Sequence, residues 1–386
     1  MKREIARGAA WMLLFKAVDR ALGIVSTLLL ARLLVPADFG LVAMAMSVIA
    51  VIELATAFSF EIALIQNPCP QRKHFDTAWT LNVLFALGCG AAIAALASPA
   101  AAFYLEPRLI SVMLVLAVAW AVAGLENVGT VEFRRAMDFR REFSFMAAKR
   151  SVSFLLTVAL ALLFRSYWAL VIGTLLGRLA GVALSYVVHP FRPRFTLAAS
   201  RELFGFSGWL LLNNLLGVAI LRVPHFFVGR VNGPQALGLF TVGSELAYMP
   251  ATELIAPVNR VLFPGFARLA SDVARFRTTF VDIIAVIVSI VIPASIGIAA
   301  VAEPMVRVLL GQKWMEAVPV IQLLAPAGAI VALTSNNVSA YLALGRTELP
   351  PLIMLARIAA LVVALVWLAP GGESSVSRKR NSLPLS

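Results

Sequence analysis

Apolar runs of about twenty residues, parted by short polar breaks, follow one another from residue 9 to residue 369. A helix that crosses the hydrocarbon core of a bilayer needs about 20 mostly apolar residues. That rule predicts eleven spans, at 9–33, 38–65, 76–99, 109–131, 146–164, 167–189, 204–230, 235–262, 280–302, 316–343 and 350–369. The implied fold class is an all-α polytopic membrane protein. Composition agrees: the 386 residues are 61% hydrophobic and 14% charged, where soluble domains hold about 45–50% apolar and about 25% charged residues.

The polar punctuation repeats at an offset of 198. Arg32, Pro36, Gly40 and Leu41 recur as Arg230, Pro234, Gly238 and Leu239, and the ungapped offset gives nine identities over the 31 positions 11–41. Shared apolar letters mean little in such a chain, but a shared Arg-x3-Pro-x3-Gly-Leu does. Six spans separate the copies, so spans one and seven cross in the same direction. The chain therefore divides into two parallel-repeat helical lobes related by an axis along the membrane normal. We assign residues 1–200 to an N-terminal lobe of six helices, 201–370 to a C-terminal lobe of five, and 371–386 to a polar, disordered tail. The motif falls in the short turn after the first span of each lobe, where proline redirects a helix and glycine tolerates the turn. It is expected to be structural.

The net charge of +13 changes the picture less than it first suggests. With the N-terminus on the cytoplasmic side, inner segments carry nineteen Lys and Arg residues against six in the outer loops. That is the bias of any helical membrane protein and gives no reason to expect nucleic acid. Cys69 and Cys89 are too few for a disulfide framework or a metal site. No cofactor motif, phosphate loop, zinc spacing or nucleophile elbow is present, and the chain is not read as an enzyme. Lys16, Asp19 and Arg20 interrupt the first apolar stretch, which is also too long for a cleavable signal.

Charges at membrane depth cost about 2.5–3.5 kcal/mol each on insertion scales, so they face a partner or a cavity. The first span carries Lys16, Asp19 and Arg20, and the spacing puts Lys16 beside Asp19 on one face. Arg178, Arg222 and Arg357 have no acidic partner within their own spans. Either such residues fix helix packing through local pairs, or Lys16, Arg20, Arg178, Arg222 and Arg357 line a cationic substrate cavity; the number of lone cations favours the cavity. Asp19, Glu53, Glu245 and Glu253 are candidates for ion coupling or for balancing those cations, while Glu61 and Glu126 lie near inner ends. Asn213, Asn214 and the Thr334–Ser339 cluster suit a sugar or, more commonly, interhelical hydrogen bonds.

Three stretches carry a resemblance: ARLLVPADFGLVAMAMSVIAVI, EFRRAMDFRREFSF and VGRVNGPQALGLFTVGSELAYMPATELIAPVNRVLFPGFARL. They resemble the polysaccharide-transporter branch of the multidrug/oligosaccharidyl-lipid/polysaccharide exporter superfamily, with a likeness over most of residues 5–345. The resemblance implies a flippase in the bacterial cytoplasmic (inner) membrane. It would move undecaprenyl-pyrophosphate-linked oligosaccharide for surface polysaccharide by alternating access between two six-helix lobes. Lipid-linked oligosaccharide, the lipid bilayer and polysaccharide polymerase or export machinery are the implied partners. A cation-coupled multidrug or small-molecule exporter and a truncated, non-transporting remnant are the competing readings. Eleven spans stand against the twelve of the family, so the second lobe is expected to lack its final helix. With eleven spans, a reporter fused to the C-terminus should be active outside the membrane; a cytoplasmic signal would overturn that count.

Overall fold

A computed structural model gives the fold over residues 2–55, 64–65, 70–200, 208–252, 266, 269, 272–344, 346 and 349–368. Every regular element among them is helical. In chain order they are α1 (Lys2–Leu33), α2 (Pro36–Ala55), α3 (Arg72–Ala95), α4 (Ala97–Tyr104), α5 (Leu109–Ala123), α6 (Val131–Arg135), α7 (Phe139–Phe164), α8 (Trp168–Val188), α9 (Gly208–Ala247), α10 (Val273–Ala300), α11 (Ala302–Leu309), α12 (Val318–Ala343) and α13 (Leu349–Leu368). Among the described residues six helices are long and apolar enough to cross a membrane, or seven if a pair bent by 60°, Leu109–Ala123 with Val128–Arg135, is one span. α1 has the length but carries Lys16, Asp19 and Arg20 in its middle.

The chain forms two compact units, Met1–Leu215 and Leu216–Ser386. In the first, α8 packs chiefly on α7 and α5, α1 on α7, and α3 on α5. Close approach of α7 and α8 has a simple cause. Gly173, Gly177 and Gly181 recur every four residues and so share one face of α8. A Cβ on each would overlap Thr157, Ser153 and Lys149 on α7. This is small-residue packing of the kind that joins membrane helices where no hydrophobic force separates helix from lipid.

Of the spans reshaped relative to the apolar pattern, two bear on the site. The predicted 109–131 span ends at Ala123. Asn127, fully buried, then caps a short 3-10 turn by accepting the Gly129 N–H at 2.9 Å. Its amide also donates to the carbonyls of His189 and Phe191 at 3.1 and 2.9 Å. Those bonds hold the bend and tie it to the segment leaving α8. That segment is extended up to a turn at 198–199, and three of its N–H groups find side chains of α3. Arg194 donates to Asp76 at 2.9 Å, Thr196 to Thr80 at 3.0 Å and Ala199 to Thr77 at 3.3 Å. In the other reshaped span, α7 starts at Phe139 instead of 146. Asp138 accepts the Arg141 N–H as an N-cap, and the first turns are charged and so invisible to an apolar window.

The repeated turn is built in two ways. In the first copy Val35 sits between α1 and α2, and the Asp38 carboxylate accepts its N–H at 3.1 Å. In the second copy the matching residue is Gly233, with φ at 79°, inside the kink that joins the two halves of α9. A carboxylate supports the first turn and glycine's freedom the second. Gly40, Leu41, Gly238 and Leu239 are buried, while Arg32 and Arg230 are exposed. Leu30 and Leu34 pack on Ala161 of α7 and Ala169 of α8, so the first turn seats on the ends of those helices. In the second unit Ile287 and Val291 of α10 pack on Ala329 and Ala332 of α12.

If the α7–α8 contact sets the first unit, Gly177→Leu should destabilise it by about 1–3 kcal/mol, the usual cost of overpacking. Gly88→Leu, where an added Cβ meets nothing within 4 Å, should melt like wild type in detergent. Equal melting of all three proteins would refute the packing account.

Candidate functional site

Within the first unit, α1, α2, α3, α5, α7 and α8 surround a cavity of about 840 Å³. The helix bend supplies Glu126, Asn127 and Thr130 to its wall, and α6 supplies Arg134. Eight charged residues line it: Asp19, Glu53, Glu126 and Glu142 against Arg134, Lys149, Arg150 and Arg178. The wall of this cavity is therefore balanced in formal charge.

The balance is made by pairs between elements. Arg134 of α6 binds Glu142 of α7, and Lys149 of α7 binds Glu126 at the bend. Arg150 Nε lies 2.8 Å from Asp19 Oδ1, joining α7 to α1. The Arg150 Nε–H is not aimed at an acceptor, so that contact is ionic without being a hydrogen bond. The local Lys16–Asp19 pair suggested by spacing does not form: Asp19 turns to α7, and Lys16 is exposed. Cross-helix pairing is the cheaper solution, because each charge in a low-dielectric wall costs several kcal/mol unless a partner is held against it.

Arg178 is the exception. Its guanidinium carbon sits 3.6 Å from the centroid of the Trp120 ring, a stacked cation–π contact. Among the described residues Arg178 forms no ion pair or hydrogen bond. Trp120 in turn donates its indole N–H to Glu53 Oε1 at 2.6 Å. Three helices, α2, α5 and α8, thus meet through one tryptophan, and a half-buried guanidinium keeps its N–H donors open on the cavity wall.

Of the other cations singled out by sequence, Arg20 is half-buried on α1 and does not line the cavity. Arg222, half-buried on α9, and Arg357, exposed on α13, belong to the second unit. Glu245 is half-buried on α9, and Glu253 lies outside the described residues. Sequence reading missed Trp120 altogether and counted Arg134, Lys149 and Arg150 only as inner-loop charges. One signal was present. Glu142 and Lys149 are seven residues apart, which puts them on one stripe once the helix is extended back to residue 139. Among the described residues no three His, Cys, Asp or Glu side chains converge as metal ligands.

Residues 29–319 match the family described as "Polysaccharide biosynthesis protein". The chain is similar to the lipopolysaccharide biosynthesis protein WzxC of Escherichia coli, 23% identical over 90% of this chain and 72% of that protein. It is also similar to the succinoglycan biosynthesis transport protein ExoT of Rhizobium meliloti, 26% identical over 85% and 67%. In fold it is similar to a solved structure described as the inward-facing conformation of a multidrug resistance MATE family transporter of the MOP superfamily. The TM-score is 0.64 at 13% identity, over 95% of this chain and 96% of that one. With the all-helical architecture, its membrane-length spans and the family match over most of its length, the chain belongs to the polysaccharide biosynthesis protein family and is a multi-pass membrane protein.

Proposed function

We propose that this protein is a flippase that carries a lipid-linked oligosaccharide, with an undecaprenyl-pyrophosphate anchor, across the bacterial cytoplasmic membrane by alternating access. The observation that carries this reading is Arg178, a cation on the wall of an interhelical cavity with no carboxylate bound to it. A guanidinium in that state is a forked donor waiting for oxygens, and the pyrophosphate of a lipid-linked sugar supplies them in matching geometry. The relatives named for lipopolysaccharide biosynthesis and succinoglycan transport support the same class of cargo.

The nineteen-to-six distribution of Lys and Arg supports a cytoplasmic N-terminus. Export of a cationic drug is favoured less, because Asp19, Glu126 and Glu142 are each already bound to a basic side chain.

The test is complementation of a bacterium lacking its own flippase. Arg178→Ala should insert normally and lose surface polysaccharide. Removing one charge-assisted contact, worth about 1.5–3 kcal/mol, weakens binding roughly 10–100-fold. Arg307→Ala, which breaks only an exposed pair with Glu303, should export normally. Export by Arg178→Ala at the wild-type level would overturn the assignment.

A further inference from the structure

Every other base on the cavity wall is paired with an acid, while Glu53 and Arg178 both contact Trp120. Among the described residues no ion pair forms between Arg178 and Glu53. Trp120 contacts both. Its N–H occupies a Glu53 oxygen at the ring edge, and its face carries the guanidinium. Edge and face of an indole are perpendicular, so each group is held without the two being brought together. Both contacts suit their partners: the N–H is a good donor to a carboxylate, and the electron-rich face attracts a flat cation without using any of its N–H groups.

We propose that Trp120 is a positioning residue whose role is to keep Arg178 from pairing with Glu53, so that the guanidinium stays available to an anionic phosphate ligand. This rests on the reading of Arg178 as an anion contact. Remove the indole, and the pair should collapse into a fourth internal salt bridge like those of Arg134, Lys149 and Arg150. The site would then be neutralised by its own wall, and a ligand would have to break that bridge before binding. Glu53 is on this account a competitor for the guanidinium, with one carboxylate oxygen bound to the Trp120 N–H. The proposal extends to any ligand presenting adjacent phosphate oxygens, whether a lipid anchor or free pyrophosphate.

The full chain in lipid nanodiscs can be tested by equilibrium dialysis against labelled inorganic pyrophosphate, with folding followed by thermal melting. Arg178→Ala should bind about tenfold or more weakly than wild type, the order expected for one lost charge-assisted contact. Trp120→Leu should be as weak as Arg178→Ala although Arg178 is intact. Trp120→Leu with Glu53→Gln should recover most of the affinity, because the competing charge is gone. A merely structural tryptophan predicts no recovery in the double variant, and that result would overturn the proposal while leaving Arg178 as the anion contact. Wild-type affinity in Trp120→Leu would also overturn it. Wild-type affinity in Arg178→Ala would instead remove the reading beneath it. If Trp120→Leu does not fold, Trp120→Phe keeps an aromatic face and removes the indole N–H bound to Glu53. It should show weakened binding with the same rescue, and absence of rescue again counts against the proposal.

Discussion

A charge inside a membrane protein must be answered, and the first unit is organised around how each one is. A lone ion at bilayer depth costs several kcal/mol, and an attractive partner offsets that only when geometry holds the two together. Asp19 with Arg150, Glu126 with Lys149 and Glu142 with Arg134 are held in this way, each across two elements. These pairs tie α1, the bend after α5, and α6 to the single helix α7. Arg178 is answered differently, by an aromatic face that lowers the cost of the charge without consuming its hydrogen bonds. That difference leaves the Arg178 N–H groups without an acceptor among the described residues.

The pairs depend on backbone features with no charge of their own. The glycine stripe of α8 lets α7 approach until Ser153 and Thr157 fill the space of missing side chains, which brings Lys149, Arg150 and Arg178 to one wall. Asn127 and the bend it caps turn Glu126 toward Lys149. The segment pinned to α3 by Asp76, Thr77 and Thr80 receives the other bonds of Asn127. Packing, capping and electrostatics act here as one arrangement.

Much of the scaffold was legible in the chain. The apolar spans at 167–189, 316–343 and 350–369 end within two residues of α8, α12 and α13, because hydrophobic length is a direct response to membrane thickness. The duplicated turn was legible too, since an Arg-x3-Pro-x3-Gly-Leu pattern stands out in apolar sequence. The inner ends were not. Helices such as α7 begin with charged turns that an apolar window discards, and the break at Gly124–Asn127 depends on hydrogen bonds to residues about sixty positions away. The site was half legible. Arg178 was visible as a cation without a partner in its own span. Its state depends on Trp120 and Glu53, which lie on other helices and carry no sequence signal linking them to it. The local Lys16–Asp19 pair failed for the same reason: spacing along one helix cannot reveal a better partner on the next.

Arg178, on the cavity wall of a member of the polysaccharide biosynthesis protein family, is the proposed phosphate contact, and Trp120 its proposed positioning residue. An experimental structure of the full chain in nanodiscs, loaded with a polyprenyl pyrophosphate, tests this most directly. The account predicts phosphate density within hydrogen-bond distance of the Arg178 guanidinium, with Trp120 still in contact with both Arg178 and Glu53. Phosphate bound away from Arg178, or Arg178 paired directly with Glu53 in the loaded protein, would contradict it.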